Sequence, residues 1–269
     1  MNINLQRIRL ILGKEWLEIR QQKMLLLGMF FLPVLFTVLP LGLLVGLAYL
    51  PANELRDLKP MIEAASSNPF LRGLTEPELA QALLGQPLSS LYFLLPVILP
   101  SVISSYSVVG EKTNHTLEPL LATPVSTLEL LLAKILTALV PAIGITWLFG
   151  LIFIAGVRVL TISERVFDAI ISPAWLILFL LCAPLLAIIT IAVTVAVSSR
   201  ATDPRSAQES SSVVILPVIA VLVGQFSGLL VLSPLFSLAA ALVLALIATI
   251  AIWFATRRFQ RETILTRWT

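Results

Sequence analysis

Six stretches of this sequence stay apolar for about 20 residues or more, at roughly 25–50, 88–109, 130–156, 174–197, 213–232 and 235–256. A hydrocarbon core of ~30 Å is crossed by about 20 residues of α-helix. No water reaches backbone N–H and C=O groups there, so each spanning segment must satisfy its own. Long apolar runs therefore become helices, and the strand-like alternation of a membrane barrel is absent. The polar remainder is thin: 12% of the 269 residues are charged, and the mean hydropathy is +0.99. Soluble domains hold about 25% charged residues. A soluble enzyme, a disordered tail and a nucleic-acid-binding domain are excluded on that ground. The expected fold class is an all-α integral membrane protein with six transmembrane helices and an N-terminal interfacial amphipathic helix.

Basic residues orient such a chain. Arg7, Arg9, Lys14, Arg20 and Lys23 precede the first span. Lys112, Lys134, Arg200 and Arg205 flank the even-numbered connections, and Arg257, Arg258, Arg261 and Arg267 follow the last span. Only Arg56, Lys59, Arg72, Arg158 and Arg165 fall on the other side. Lys and Arg collect on the cytoplasmic face, so both termini are expected in the cytoplasm of a multi-pass inner-membrane protein. The loop around 51–87 carries Glu54, Asp57, Glu63, Glu76 and Glu78, which suits the outer face. The first apolar run is too long for a signal-peptide core and lacks a small-residue cleavage site, so no cleavable signal peptide is expected. Three parts follow: an N-terminal helix in 1–24, the six-span domain in 25–256, and a cytoplasmic tail in 257–269.

Leu5, Ile8, Leu12, Trp16 and Ile19 share one helical face. Arg7, Lys14, Glu18, Gln21 and Gln22 lie opposite. Such a helix lies in the interface plane with its apolar face toward acyl chains; the alternative is a cap helix packed on the spans. In the outer loop, Thr75-Glu-Pro-Glu78 matches a capping box, and Gly85 with Pro87 reads as a stop, giving a short helix at 76–84. It is either a lid or a folded loop. Between spans two and three, Thr116 N-caps a helix that Pro124 ends, and Ser126 with Glu129 opens span three. Leu117, Leu120 and Leu121 give the helix at 116–123 an apolar side, suited to docking a partner or to packing on the chain's own spans.

Chemistry-bearing residues are sparse. Asn114-His-Thr116 is a formal glycosylation sequon facing the cytoplasm, and is discarded. His115 is the only histidine, so no metal site and no bound cofactor are expected. Cys182 is the only cysteine and has no internal disulfide partner. The spans hold no Asp, Arg or His, with Glu129 and Lys134 placed near the cytoplasmic end of span three. Gradient-driven carriers usually keep ionisable groups inside the membrane. No phosphate-binding loop occurs, and no catalytic residue stands out. Energy for uphill transport would therefore enter through another polypeptide. Ser101, Ser104, Ser105 and Gln225 either line a path or bond within the bundle. Gly42/Gly46 and Gly224/Gly228 are Gly-x-x-x-Gly pairs that permit close helix approach, as at a dimer seam. Pro33, Pro40, Pro96, Pro100, Pro141, Pro184 and Pro217 place kinks in the spans.

The stretch Gly110-Glu-Lys-Thr-Asn-His-Thr-Leu-Glu-Pro-Leu-Leu-Ala-Thr-Pro-Val-Ser126, continuing to Glu129-Leu-Leu-Leu-Ala-Lys134, resembles the permease subunits of type-2 ATP-binding-cassette exporters. Ser198-Ser-Arg-Ala-Thr-Asp-Pro-Arg-Ser-Ala-Gln208 resembles the second cytoplasmic loop of their sodium-extrusion-like branch. His115 and Ala133 depart from that pattern, where relatives usually have Gly. The resemblance implies two paired permeases, this chain with a second copy or a homologue, above two ATPase subunits that hold ATP and Mg. It implies that 116–123 is a coupling helix. Leu117, Leu120 and Leu121 would fill a groove of the ATPase, with Glu111, Lys112, Thr116 and Glu118 around them. Arg200, Asp203, Arg205 and Gln208 would form a second contact. The N-terminal helix would be a connecting helix that levers span one. Membrane lipid is the other partner, and nucleic acid is not one. A stand-alone gradient-driven carrier or channel, or a non-transporting scaffold or immunity protein, are the competing readings.

Overall fold

A computed structural model of the chain describes residues 5–48, 73–113, 127–198, 208–209, 212–227, 230 and 232–258. Among these residues there are helices and turns and no strands. Helix α1 is Leu5–Gln21, and α2, Lys23–Ala48, follows after Gln22. Next come α3 (Glu76–Ser89), a 3-10 segment (Ser90–Leu94) and α4 (Leu95–Thr113). Helix α5 is Thr127–Leu160 and α6 is Glu164–Ile170. Helix α7 (Pro173–Ile177) runs through a π turn (Leu178–Cys182) into α8 (Ala183–Ser198). A 3-10 turn (Ser212–Val214) opens α9 (Ile215–Phe226), and α10 is Pro234–Arg258.

Five of the helical segments are long and apolar enough to cross a membrane: Lys23–Leu47, Glu76–Ser107, Leu132–Leu160, Glu164–Val197 and Pro234–Ala255. The expected fifth span, 213–232, is shorter. Its helical part is Ser212–Phe226, about 22 Å at 1.5 Å per residue, below the ~30 Å of a bilayer core. The chain turns at Ser227, and the Leu230 N–H bonds back to Gly224 O at 2.8 Å. Ser227, Leu230, Leu232 and Ser233 are all non-helical, so the connection to α10 is longer than the gap between 232 and 235. Apolar composition runs on through this turn, so hydropathy does not mark it.

The outer helix also differs. It begins as expected, with the Thr75 N–H donating to the Glu78 carboxylate at 2.8 Å. It does not stop at Gly85 and Pro87, which lie inside α3. Gly85 serves a close approach instead: a Cβ there would stand 2.5 Å from Ile170 Cδ1. Past Pro87, the Ser89 hydroxyl donates to Gln86 O at 2.7 Å, and the chain tightens into the 3-10 segment without leaving the helical path. Helix α6, capped by Ser163, was not foreseen.

Helices α4, α5 and α8 pack on one another at the centre. Helix α2 lies on α5, α10 on α8, and α3 on α6. The central contact is aromatic: Trp175 stacks on Phe179 at 4.8 Å, with Tyr92, Phe93 and Phe153 around it. Pro184 has no N–H to return to Leu180, and the ladder widens just before it, with Ala183 N–H reaching Leu178 O. The Trp147 indole donates to Phe179 O in that turn, at 3.3 Å. Gly150 receives the Phe179 ring so closely that a Cβ would lie 2.1 Å from Cζ. Gly150→Ala is expected to destabilise the fold by about 1–3 kcal/mol through overpacking. Phe179→Leu, which removes the ring tip, should recover part of that loss. Thermal unfolding in detergent of both single variants and the double variant checks this.

The outward faces of α2, α5, α9 and α10 expose large apolar side chains, among them Leu27, Phe31, Val38, Leu148, Leu151, Leu216, Leu242 and Leu246. That surface suits lipid.

Candidate functional site

The strongest polar feature among the described residues sits where α1 meets α4 and α5. The apolar face of α1 packs on α5, with Ile8, Ile11 and Ile19 buried. Those residues meet protein, so α1 is docked on the bundle rather than turned toward acyl chains. Glu15 lies on the same face, one turn from Ile11 and from Ile19, and is 1% exposed. An isolated carboxylate in such a place would be very costly. It is not isolated. Lys134, in the second turn of α5 and 2% exposed, donates to Glu15 Oε1 at 3.1 Å. The same ammonium donates to Ser107 O and Ser107 Oγ, each at 3.1 Å. The Ser107 hydroxyl donates in turn to Glu15 Oε2 at 2.7 Å. All three lysine donors are used, and both carboxylate oxygens accept. One ring of bonds therefore joins three helices. Nearby, Arg7 reaches Glu129 at 3.9 Å, a second ion pair between α1 and α5.

From the sequence Lys134 reads as a span-end residue, and Glu15 carries no motif that sets it apart. The available signal was an acid on the apolar stripe of an amphipathic helix. Such an acid needs a buried partner, and the partner here comes from two other spans.

Other expected site residues fall in three groups. Thr116, Leu117, Glu118, Leu120, Leu121, Arg200, Asp203, Arg205 and Gly228 lie outside the described residues. Glu111 and Lys112 occupy the last turn of α4, and Gln208 a helical position whose carbonyl accepts from Ser212 Oγ at 2.9 Å. The remainder lie in the bundle. Ser101, Ser104 and Ser105 are buried on α4, and the Ser105 hydroxyl donates to Ser101 O at 2.6 Å, within its own helix. The Gln225 amide oxygen accepts from Ser90 Oγ at 2.8 Å; its Nε2 is buried without a partner among the described residues. A Cβ on Gly42 or Gly46 would meet nothing within 4 Å, so that side of α2 is open, whereas Gly224 is already closed by Leu230 Cβ at 3.0 Å. No cluster of His, Cys, Asp or Glu among the described residues could hold a metal.

A second polar node, on α3, was not foreseen. Gln81, 0% exposed, donates to Leu44 O at 3.0 Å and accepts from the Ile162 N–H at 3.1 Å. Its amide also points at Leu160 O, 3.5 Å away, among the end carbonyls of α5 that lack helical donors. It ties α3 to the ends of α2 and α5. Gln81→Leu keeps the volume and strands these groups, so it should lower stability by about 1–3 kcal/mol. A Gln81→Leu protein that melts with the wild type would contradict that role.

The arrangement is that of a membrane bundle with a helix clamped beneath it, next to the connection between spans two and three. Residues 9–256 match the family model described as ABC-2 family transporter protein. The chain belongs to the ABC-2 transporter family. No curated protein matches it. The match covers nearly the whole chain, from inside α1 to the end of α10. This ABC-2 permease is a multi-pass membrane protein, the non-catalytic membrane component of its transporter. In that setting α1 is the helix that enters the bundle from the N-terminus, and the Glu15, Ser107 and Lys134 ring is its anchor.

Proposed function

We propose that this ABC-2 permease forms the translocation path of an exporter and takes its driving force from a separate ATP-hydrolysing subunit. The observation that carries the reading is the family match over residues 9–256. The segment 116–123 is the docking helix for that subunit, and 199–208 the smaller contact. Two permeases pair, this chain with a copy or a homologue, and the open side of α2 at Gly42 and Gly46 suits close helix approach. ATP and Mg belong to the partner. Both termini face the cytoplasm of an inner membrane, as the bias of Lys and Arg implies.

The helix contacts support an external energy source in a second way. Among the described residues, the buried Glu15 and Lys134 bond to each other and to Ser107, in a contact between helices. A gradient-driven carrier usually keeps its ionisable groups along the transport path. The test is proteoliposomes holding the chain alone or with its ATPase. The chain alone should show no ATP hydrolysis, and the pair should show hydrolysis that vanadate arrests. Failure of any ATPase to bind the chain would remove the reading.

A further inference from the structure

We infer that Glu15 is a positioning residue for energy coupling: with Ser107 and Lys134 it clamps the N-terminal helix to spans two and three, so that this helix moves with them. This rests on the permease reading above. A connecting helix that levers only the span it precedes would need its main contacts with α2. Helix α1 instead packs chiefly on α5, and only its end meets α2. Among the described residues, α1 is ion-paired to α5 by Arg7 with Glu129 at the edge and by Glu15 with Lys134 at the buried centre. Glu129 and Lys134 lie in the first two turns of α5, directly after the 114–126 connection. Ser107 lies less than two turns before that connection, on α4. The ring thus closes over both helices that enter and leave the proposed docking segment. Any displacement of that segment reaches α4 and α5 together, and through the ring it reaches α1.

The bonding makes this a clamp and not a loose contact. Among the described contacts the Lys134 ammonium donates to three acceptors and Glu15 accepts from two donors, and both side chains are buried. Removing one charge takes from the other, in a buried place, the ion-pair partner that faces it, whereas removing both removes the two desolvation costs together. Docking of α1 should therefore fail in Glu15→Met and in Lys134→Met, and return in the double variant.

The experiment uses the complex of the full chain with its ATPase. In a Cys182→Ala background, Ile11→Cys reports docking, because Ile11 is buried under α1. A membrane-impermeant maleimide should label this cysteine at least ~10-fold faster in either single variant than in the parent, and at the parent rate in Glu15→Met/Lys134→Met. ATP hydrolysis is measured on the same assembled complexes. The single variants should lose the effect of the permease on the ATPase kcat while KM for ATP stays put, since the nucleotide site lies on the partner. The double variant should recover it. Unchanged labelling in the single variants overturns the clamp. Faster labelling with unaltered hydrolysis overturns the coupling role and leaves a merely structural pair. If the parent chain binds no ATPase, the permease reading fails and the coupling role with it, while the labelling still decides the clamp.

Discussion

Leu120→Asp with Leu121→Asp is expected to abolish coupling between this permease and its ATPase while leaving the bundle folded. The two leucines provide most of the apolar ridge of the 116–123 segment, with Leu117. Seating that ridge in a groove removes it from water. Two carboxylates in the same place would have to be desolvated without partners, at several kcal/mol for each charge. Even ~3 kcal/mol would weaken docking more than 100-fold. Both positions lie outside the six apolar stretches, so membrane insertion has no reason to change. The double variant should reach the membrane in normal amount, should fail to co-purify with the ATPase, and should show hydrolysis at the rate of the isolated ATPase. Undiminished co-purification would remove the docking assignment from this segment.

The second large effect concerns stability. Lys134→Met takes from the buried Glu15 the ammonium that faces it at 3.1 Å, and breaking such a pair from one side costs about 3–5 kcal/mol. Glu15→Met should cost a similar amount for the mirrored reason. The double variant should come within ~1 kcal/mol of the parent, because both desolvation costs vanish with the charges. A double-mutant cycle measured by reversible unfolding in mixed micelles then gives a coupling energy nearly as large as either single loss. Additive losses would mean that the two residues act independently, against the 3.1 Å contact.

Hydropathy alone made the membrane architecture legible. Five of the six apolar stretches are long helices, because a spanning segment must be helical whatever its neighbours do. In the fifth stretch the described helix ends at Phe226, whereas the apolar run continues through Leu232, so hydropathy does not mark where that helix stops. The stop assigned to Gly85 and Pro87 misled for a tertiary reason, the approach of Ile170 to a glycine. The periodicity of α1 caught Ile8 and Ile19 of its buried face, but the face is turned away from the exposed Trp16 and toward Ile11 and Glu15. Reading that acid requires Ser107 and Lys134, which lie on other helices and which spacing along α1 cannot reveal. Gln81 is similar, because its partners Leu44 and Ile162 are remote in sequence. The coupling residues came from resemblance, and the family match supports the class to which they belong. The likeness to the sodium-extrusion branch lies in Ser198–Gln208, most of which is outside the described residues.

If this chain works as the membrane half of an ATP-driven machine, native mass spectrometry of the gently solubilised complex, drawn from its own membrane, should find two permease chains with two ATPase subunits. That assembly should be lost when Leu120 and Leu121 become Asp. A chain that emerges alone, or only with copies of itself and no ATPase, would contradict that role.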